Sequence, residues 1–201
     1  IQSVINQTYT NWELILFDNK STDNSSKIFN SFSDSRFKHI LSESHTLLGE
    51  ARNLAVQHAE YDWIAFLDAD DLWDEFKLEK QIVFTSLNNV GIIYCESEIF
   101  FTNENSNFFS NNIKNYKKKE MEGDVFDELL KSNFIHLSSA IFLKRAFLET
   151  GGVNPSFTIS EDYDFLLKIS KKYNVMFTRD TKSFYRIHDN NYSNKNFKKG
   201  Y

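Results

Sequence analysis

Three stretches of the chain repeat one rhythm: an apolar run, a polar turn, then apolar residues at helical spacing. Trp12 to Asp18 leads through Asn19-Lys20-Ser21-Thr22-Asp23-Asn24 to the helical pattern opening at Lys27-Ile28-Phe29. Phe37 to Leu41 precedes a helix over Leu47 to Ala59, and Trp63 to Leu67 precedes one over Glu75 to Leu87. Such alternation is the pattern of an α/β fold, and successive β-α units predict a parallel sheet. Ile64-Ala65-Phe66-Leu67 is apolar at every position, which suits strands covered by helices on both faces. Ligands of such sheets bind beyond the carboxyl ends of the strands, where Asp18 and Asp68 fall.

The later chain is less regular. Gly91 to Cys95 reads as a buried strand, and Thr102 to Glu120, rich in Asn, Ser and Lys, as a long loop, either a functional lid or a disordered segment. Lys117-Lys118-Lys119 within it reads as a solvated surface. His136 to Lys144 predicts a strand leading into a short helix. Gly151-Gly152 makes a turn, Glu161-Asp162 opens a helix through Lys171, and two short strands follow near Val175 to Thr178 and Ser183 to Ile187. No internal repeat or domain boundary interrupts this order, so residues 1–201 read as a single domain.

Twenty Phe and nine Tyr among 201 residues supply a sizeable core, while one Pro and six Gly argue against a linker-like chain. A net charge of -5 gives no basic field for nucleic acid. The single Cys95, set in an apolar run, excludes a disulfide framework or thiolate cluster and reads as a small buried hydrophobe suited to a reducing, cytoplasmic compartment. No apolar run reaches the ~18 residues that span a bilayer. The chain opens on Ile1 with helical spacing through Val4 and Ile5, an expectation that further chain lies upstream.

The densest chemical signal is Asp68, Asp70, Asp71, Asp74 and Glu75, directly after the apolar run. Carboxylates this close repel one another and require open water or a cation. Hard oxygen ligands on a short turn suit Mg2+ or Mn2+, which keeps some waters and is completed by substrate phosphates. Asp74 and Glu75 are expected to favour the start of the next helix instead. An apolar strand ending in Asp-x-Asp also resembles the nucleophile motif of haloacid-dehalogenase-like phosphatases. Asp71-Leu72-Trp73 departs from that motif, and no convincing acidic Gly-Asp motif follows.

A second resemblance covers more of the chain. Asn6-Gln7-Thr8-Tyr9 with Trp12-Glu13-Leu14-Ile15, then Asp18-Asn19-Lys20-Ser21-Thr22-Asp23, Gly49-Glu50-Ala51-Arg52-Asn53, Asp68-Ala69-Asp70-Asp71-Leu72-Trp73, and Ser160-Glu161-Asp162-Tyr163-Asp164 occur in order. Together they closely resemble the family 2 glycosyltransferases of GT-A fold, from the first residue to about Ser193. The resemblance implies a mixed, mainly parallel sheet flanked by helices, with a first strand, missing from this sequence, that completes the base pocket. It divides the domain into a nucleotide-sugar-binding half, 1–100, and an acceptor and catalytic half, 101–201.

It also implies roles. Asp18 and Asn19 lie against the nucleotide base and ribose, although the family's usual second Asp is Asn19 here; an amide still offers both an acceptor and a donor to a pyrimidine edge. Arg52 faces the diphosphate, as a guanidinium suits. Asp68 orients ribose or metal waters, and Asp70 holds Mn2+ or Mg2+. Asp162, with Glu161 beside it, removes the acceptor hydroxyl's proton in an inverting transfer. Tyr185-Arg186-Ile187-His188 resembles the family's last feature, in which His188 approaches the metal or diphosphate, while His136 reads as a packing residue. The implied partners are a nucleotide-sugar donor, with a uridine base, and a glycan or lipid-linked acceptor of cell-surface type. Work at the inner face of a membrane would follow, and the tail's Lys195, Lys198 and Lys199 leave room for peripheral contact. A fragment that binds nothing on its own is the non-enzyme alternative.

Overall fold

The structure, a computed structural model, describes residues 1–101, 114–115 and 120–188. Most of the expected loop at 102–120 and the tail beyond His188 lie outside them, including Lys117 to Lys119 and Lys195, Lys198 and Lys199. A short helix α1 (Gln2–Ile5) opens the chain, followed by β1 (Leu14–Asp18), α2 (Ser25–Asn30), β2 (Phe37–Leu41), α3 (Leu48–Gln57), β3 (Trp63–Ala65) and β4 (Leu72–Trp73). Then come α4 (Lys77–Ile82), β5 (Val90–Phe101), β6 (Lys114–Asn115), α5 (Phe126–Lys131), β7 (Ala140–Leu143), α6 (Lys144–Glu149), α7 (Glu161–Ser170) and β8 (Asn174–Ile187).

β1 and β2 form a parallel pair. The larger sheet runs β3-β7-β5-β8-β4, with β6 beside β5. Its longest ladder, β5 with β8, is parallel, while β3 with β7, β5 with β7, β4 with β8 and β5 with β6 are antiparallel. The three β-α units therefore do not build one continuous parallel sheet. β3 finds its partner in β7, from much later in the chain, and no ladder joins it to β1 among the described residues. The facing edges of β1 and β3 border an apolar cleft of about 420 Å3, lined by Leu14, Ile15, Trp63, Ala65 and Leu67. Hydrogen bonds to Glu13 Oε1 from the backbone N–H groups of Glu60, at 2.6 Å, and Tyr61, at 3.4 Å, tie the two sheets together at one end.

The two short strands expected after α7 are one strand, β8. Its register against β5 slips between Cys95 and Glu96, where Asp180 takes φ 61°, and this irregularity is what breaks the sequence pattern in two. β5 is buried from Val90 to Cys95, as its apolar run predicts. Ile92 and Tyr94 enter the main core with Phe142, Phe147, Phe165, Leu166 and Ile169, while Ile93 packs on the other face with Val90 and Ile141. Phe165 of α7 lies 5.0 Å from the rings of both Phe142 and Phe147, so the helix carrying Glu161 and Asp162 is anchored to the sheet by aromatic packing.

Candidate active site

Asp68 to Asp71 form the turn between β3 and β4, closed by the N–H of Asp71 donating to the carbonyl of Asp68 at 3.0 Å. The carboxylates divide by direction. Asp71 points inward and is buried, accepting from Ser138 Oγ at 2.7 Å and from the N–H of Arg186 at 3.0 Å. Burial pushes its carboxyl up to about 7. It acts as the peg that fastens the turn to the end of β8 and to the 3-10 turn at Leu137–Ser139. Trp73 Nε1 donates to the carbonyl of Ser138 at 2.7 Å, and Arg186 Nε to the carbonyl of Asp70 at 2.7 Å, completing the mount.

Asp68 and Asp70 are left facing outward, with side chains 43% and 35% exposed. Asp70 Oδ2 lies 3.0 Å from His188 Nε2. A carboxylate and an imidazole held side by side, both open to solvent, suit a Mg2+ or Mn2+ ion that takes its remaining ligands from water and phosphate. No group of three or more His, Cys, Asp or Glu side chains converges on one point among the described residues.

Arg52 joins this turn to the start of α7. Its guanidinium is buried, with Nη2 3.1 Å from Asp68 Oδ1 and Nη1 2.8 Å from Glu161 Oε1. The sequence expectation aimed Arg52 at a diphosphate, whereas here two of its nitrogens serve carboxylates from opposite sides of the site. Glu161 is itself buried, so its charge is compensated through Arg52. Next to it, Asp162 accepts from the N–H of Tyr163 at 2.8 Å, and its carboxyl is raised above the usual range by burial and by the neighbouring Glu161. Ser160 sits at the N-cap of α7 with φ 61° and makes no cap hydrogen bond through its hydroxyl; its carbonyl accepts from the N–H of Asp164. At α4, Asp74 Oδ1 does accept from the N–H of Phe76 at 3.0 Å.

The His136 ring lies against that of Tyr185, tilted by 53° with centroids 4.7 Å apart. Desolvation pushes its imidazole down to about 4 against the pull of Asp68 and Asp70, which keeps the ring neutral near the outward carboxylates. Cys95 is buried, as expected, with its thiol pushed up to about 12 by desolvation.

Asp18, at the carboxyl end of β1, is also buried. It accepts from the N–H of Ser21 at 2.7 Å and from the hydroxyl of Ser26, with His39 Nε2 at 3.5 Å. These bonds, led by that of Ser26, hold its carboxyl down to about 2. Asn19 turns its amide to Thr46, in the loop between β2 and α3. The structure thus brings Asp68, Arg52, Glu161 and Asp162 into one cluster, with Asp70 and His188 beside it. Asp18 and Asn19 are engaged with the neighbouring β2 side. Sequence reasoning did not mark Ser138 or Thr46 and gave Arg186 and Asp71 no mounting role. All four act through contacts distant in the chain, which no local pattern displays.

The mixed sheet flanked by helices is the GT-A architecture, shared with the solved structures that this chain resembles. The chain belongs to glycosyl transferase family 2, whose family model matches residues 1–151. It is 36% identical over 178 residues to the Escherichia coli UDP-Glc:alpha-D-GlcNAc-diphosphoundecaprenol beta-1,3-glucosyltransferase WfgD, covering 87% of this chain and 64% of that protein. It is 32% identical over 208 residues to the E. coli enzyme WfaP, which carries the same description, covering 98% and 74%. Among solved structures, S. aureus TarS 1-349 in complex with UDP-GlcNAc superposes with a TM-score of 0.77 at 15% identity, over 96% of this chain and 55% of that one. The mannosyltransferase PcManGT from Pyrobaculum calidifontis, in complex with GDP-Man and Mn2+, gives a TM-score of 0.71 at 17% identity, over 98% and 55%. The chain thus spans less than two thirds of the length of WfgD and about half that of the matched structures. Family membership sets aside the phosphatase reading of the Asp-x-Asp turn.

Proposed function

We propose that this chain transfers a sugar, with inversion, from a nucleoside diphosphate donor, a UDP-sugar, to a hydroxyl of a glycan or lipid-linked acceptor. The observation that carries the reading is the Arg52 bridge, which couples donor-side Asp68 to Glu161 and so to Asp162. The glucosyltransferase activities of WfgD and WfaP, and the UDP-GlcNAc bound by TarS, support the donor class. The lipid diphosphate acceptors of the first two support the acceptor class and work at the inner face of a membrane. No helix among the described residues is long and apolar enough to cross a membrane itself.

In this reading Asp162 accepts the proton of the acceptor hydroxyl, whose oxygen then bonds to the anomeric carbon from the face opposite the diphosphate. The bond from that carbon to the diphosphate oxygen breaks, and the nucleotide leaves with the electron pair. The raised carboxyl of Asp162 suits a base that must hold a proton. Glu161, neutralised by Arg52, sets the position of Asp162 at the helix start. Asp70 and His188 would hold Mn2+ or Mg2+, and Asp68 would orient ribose or metal waters. When bound, such a cation neutralises charge growing on the departing diphosphate. Asp18 and Asn19 border the base side of the donor.

The test is Asp162→Asn. UDP release from a UDP-sugar in the presence of acceptor should fall at least ~100-fold, the scale of a lost general base, while UDP binding persists. Loss of UDP binding along with turnover would show a structural role for Asp162 instead.

A further inference from the structure

Both ends of the Asn19 side chain are spent on a single residue. Nδ2 donates to the carbonyl of Thr46 at 2.8 Å, and Oδ1 accepts from the N–H of Thr46 at 3.0 Å and from its hydroxyl at 3.2 Å. This is the same donor and acceptor pair that an amide would show to a pyrimidine edge. A carboxylate at position 19 could keep the two bonds that Thr46 donates. Its other oxygen would face the Thr46 carbonyl with no proton between them, two acceptors in contact. The departure from the usual second Asp thus has a physical reason on the chain itself.

Resting on the donor-site reading above, we propose that Asn19 and Thr46 form a clasp that shapes the nucleotide side of the site and does not read the base. Thr46 is then a positioning residue. The backbone continues the tie, since the N–H of Ser42 donates to the carbonyl of Asp18 at 2.9 Å, so the segments leaving β1 and β2 run side by side. Between these two attachments Glu43, Ser44 and His45 are exposed. Thr46 stands two residues before α3, whose N-cap is Leu47 and whose second turn carries Arg52. The clasp therefore fixes the approach of α3, linking the base side of the donor site to the Arg52 bridge.

Two variants test this, Asn19→Ala and Asn19→Asp, read by amide hydrogen exchange at Thr46, by titration with UDP and with GDP in the presence of Mn2+, and by UDP release from UDP-glucose. Asn19→Ala removes all three bonds, and Thr46 exchange should accelerate roughly tenfold or more. In both variants UDP and GDP should weaken by similar factors, and the loss in turnover should fall on donor KM more than on kcat. Base-selective weakening in Asn19→Ala, with UDP binding kept in Asn19→Asp, would overturn the proposal and make residue 19 a base reader. Unchanged Thr46 exchange in Asn19→Ala would overturn the clasp itself. Failure of the wild-type chain to bind either nucleotide would instead defeat the donor-site reading, and the exchange data tell these failures apart.

Discussion

Arg52 holds the site together through two ion pairs of unequal weight. Its contact with Glu161 is buried on both sides, whereas Asp68 is well exposed and that arm contributes less than about 1 kcal/mol. Arg52→Met should therefore cost about 3–5 kcal/mol in urea unfolding, because Glu161 is left as a buried charge without its partner. Adding Glu161→Leu to Arg52→Met should recover most of that loss; full additivity of the two would argue against the pair. Lys77 makes a second test at this scale. It is fully buried, donates to Gln81 Oε1 at 2.8 Å, and lies 4.2 Å from the centre of the Trp73 ring. Desolvation pushes it down to about 8 from an ordinary 10.5. Between those values the unfolded chain binds more protons than the folded one, so stability gains from this group as pH rises from about 8 to about 10.5. Unfolding of wild type against Lys77→Met across that range should show the gap shifting in favour of wild type. The outward carboxylates were legible in the sequence, because acidic residues crowded after an apolar run repel one another and settle only against water or a cation. Asp71's inward turn was not, since it depends on Ser138 and on the Arg186 backbone, both far along the chain.

At the scale of elements, strand β5 lies too close to the end of α7 and the turn after it for any side chain at position 91. A Cβ on Gly91 would lie 2.6 Å from Tyr173 Cβ and 2.8 Å from Ile169 Cγ2. Gly91→Ala should cost about 1–3 kcal/mol by overpacking, read as a lower urea midpoint with an unchanged slope. Spacing put α3, α7, β1 and β2 where they stand, whereas β5 runs past Cys95 to Phe101, the helix expected over Glu75 to Leu87 narrows to α4, and α5 has no counterpart in the sequence pattern. Pairing did not follow. A run such as Trp63 to Ala65 does not encode whether its neighbour is β1 or β7, and the antiparallel match of Ile64 with Phe142 is settled by a core built from segments far apart in the chain, from Val56 to Phe177. The division into residues 1–100 and 101–201 crosses this larger sheet, to which both segments contribute strands.

For the whole molecule to act as proposed, the turn at Asp68 to Asp71 must bind a nucleoside diphosphate together with a divalent cation. Titration of UDP into the wild-type chain and into Asp70→Asn, with and without Mn2+, measures this directly. The prediction is UDP binding that tightens at least ~10-fold with Mn2+ in wild type, and little or no tightening in Asp70→Asn, since a neutral amide replaces the anionic carboxylate that would hold the cation. Equal Mn2+ dependence in the two proteins would contradict the assignment of this turn as the cation and diphosphate site.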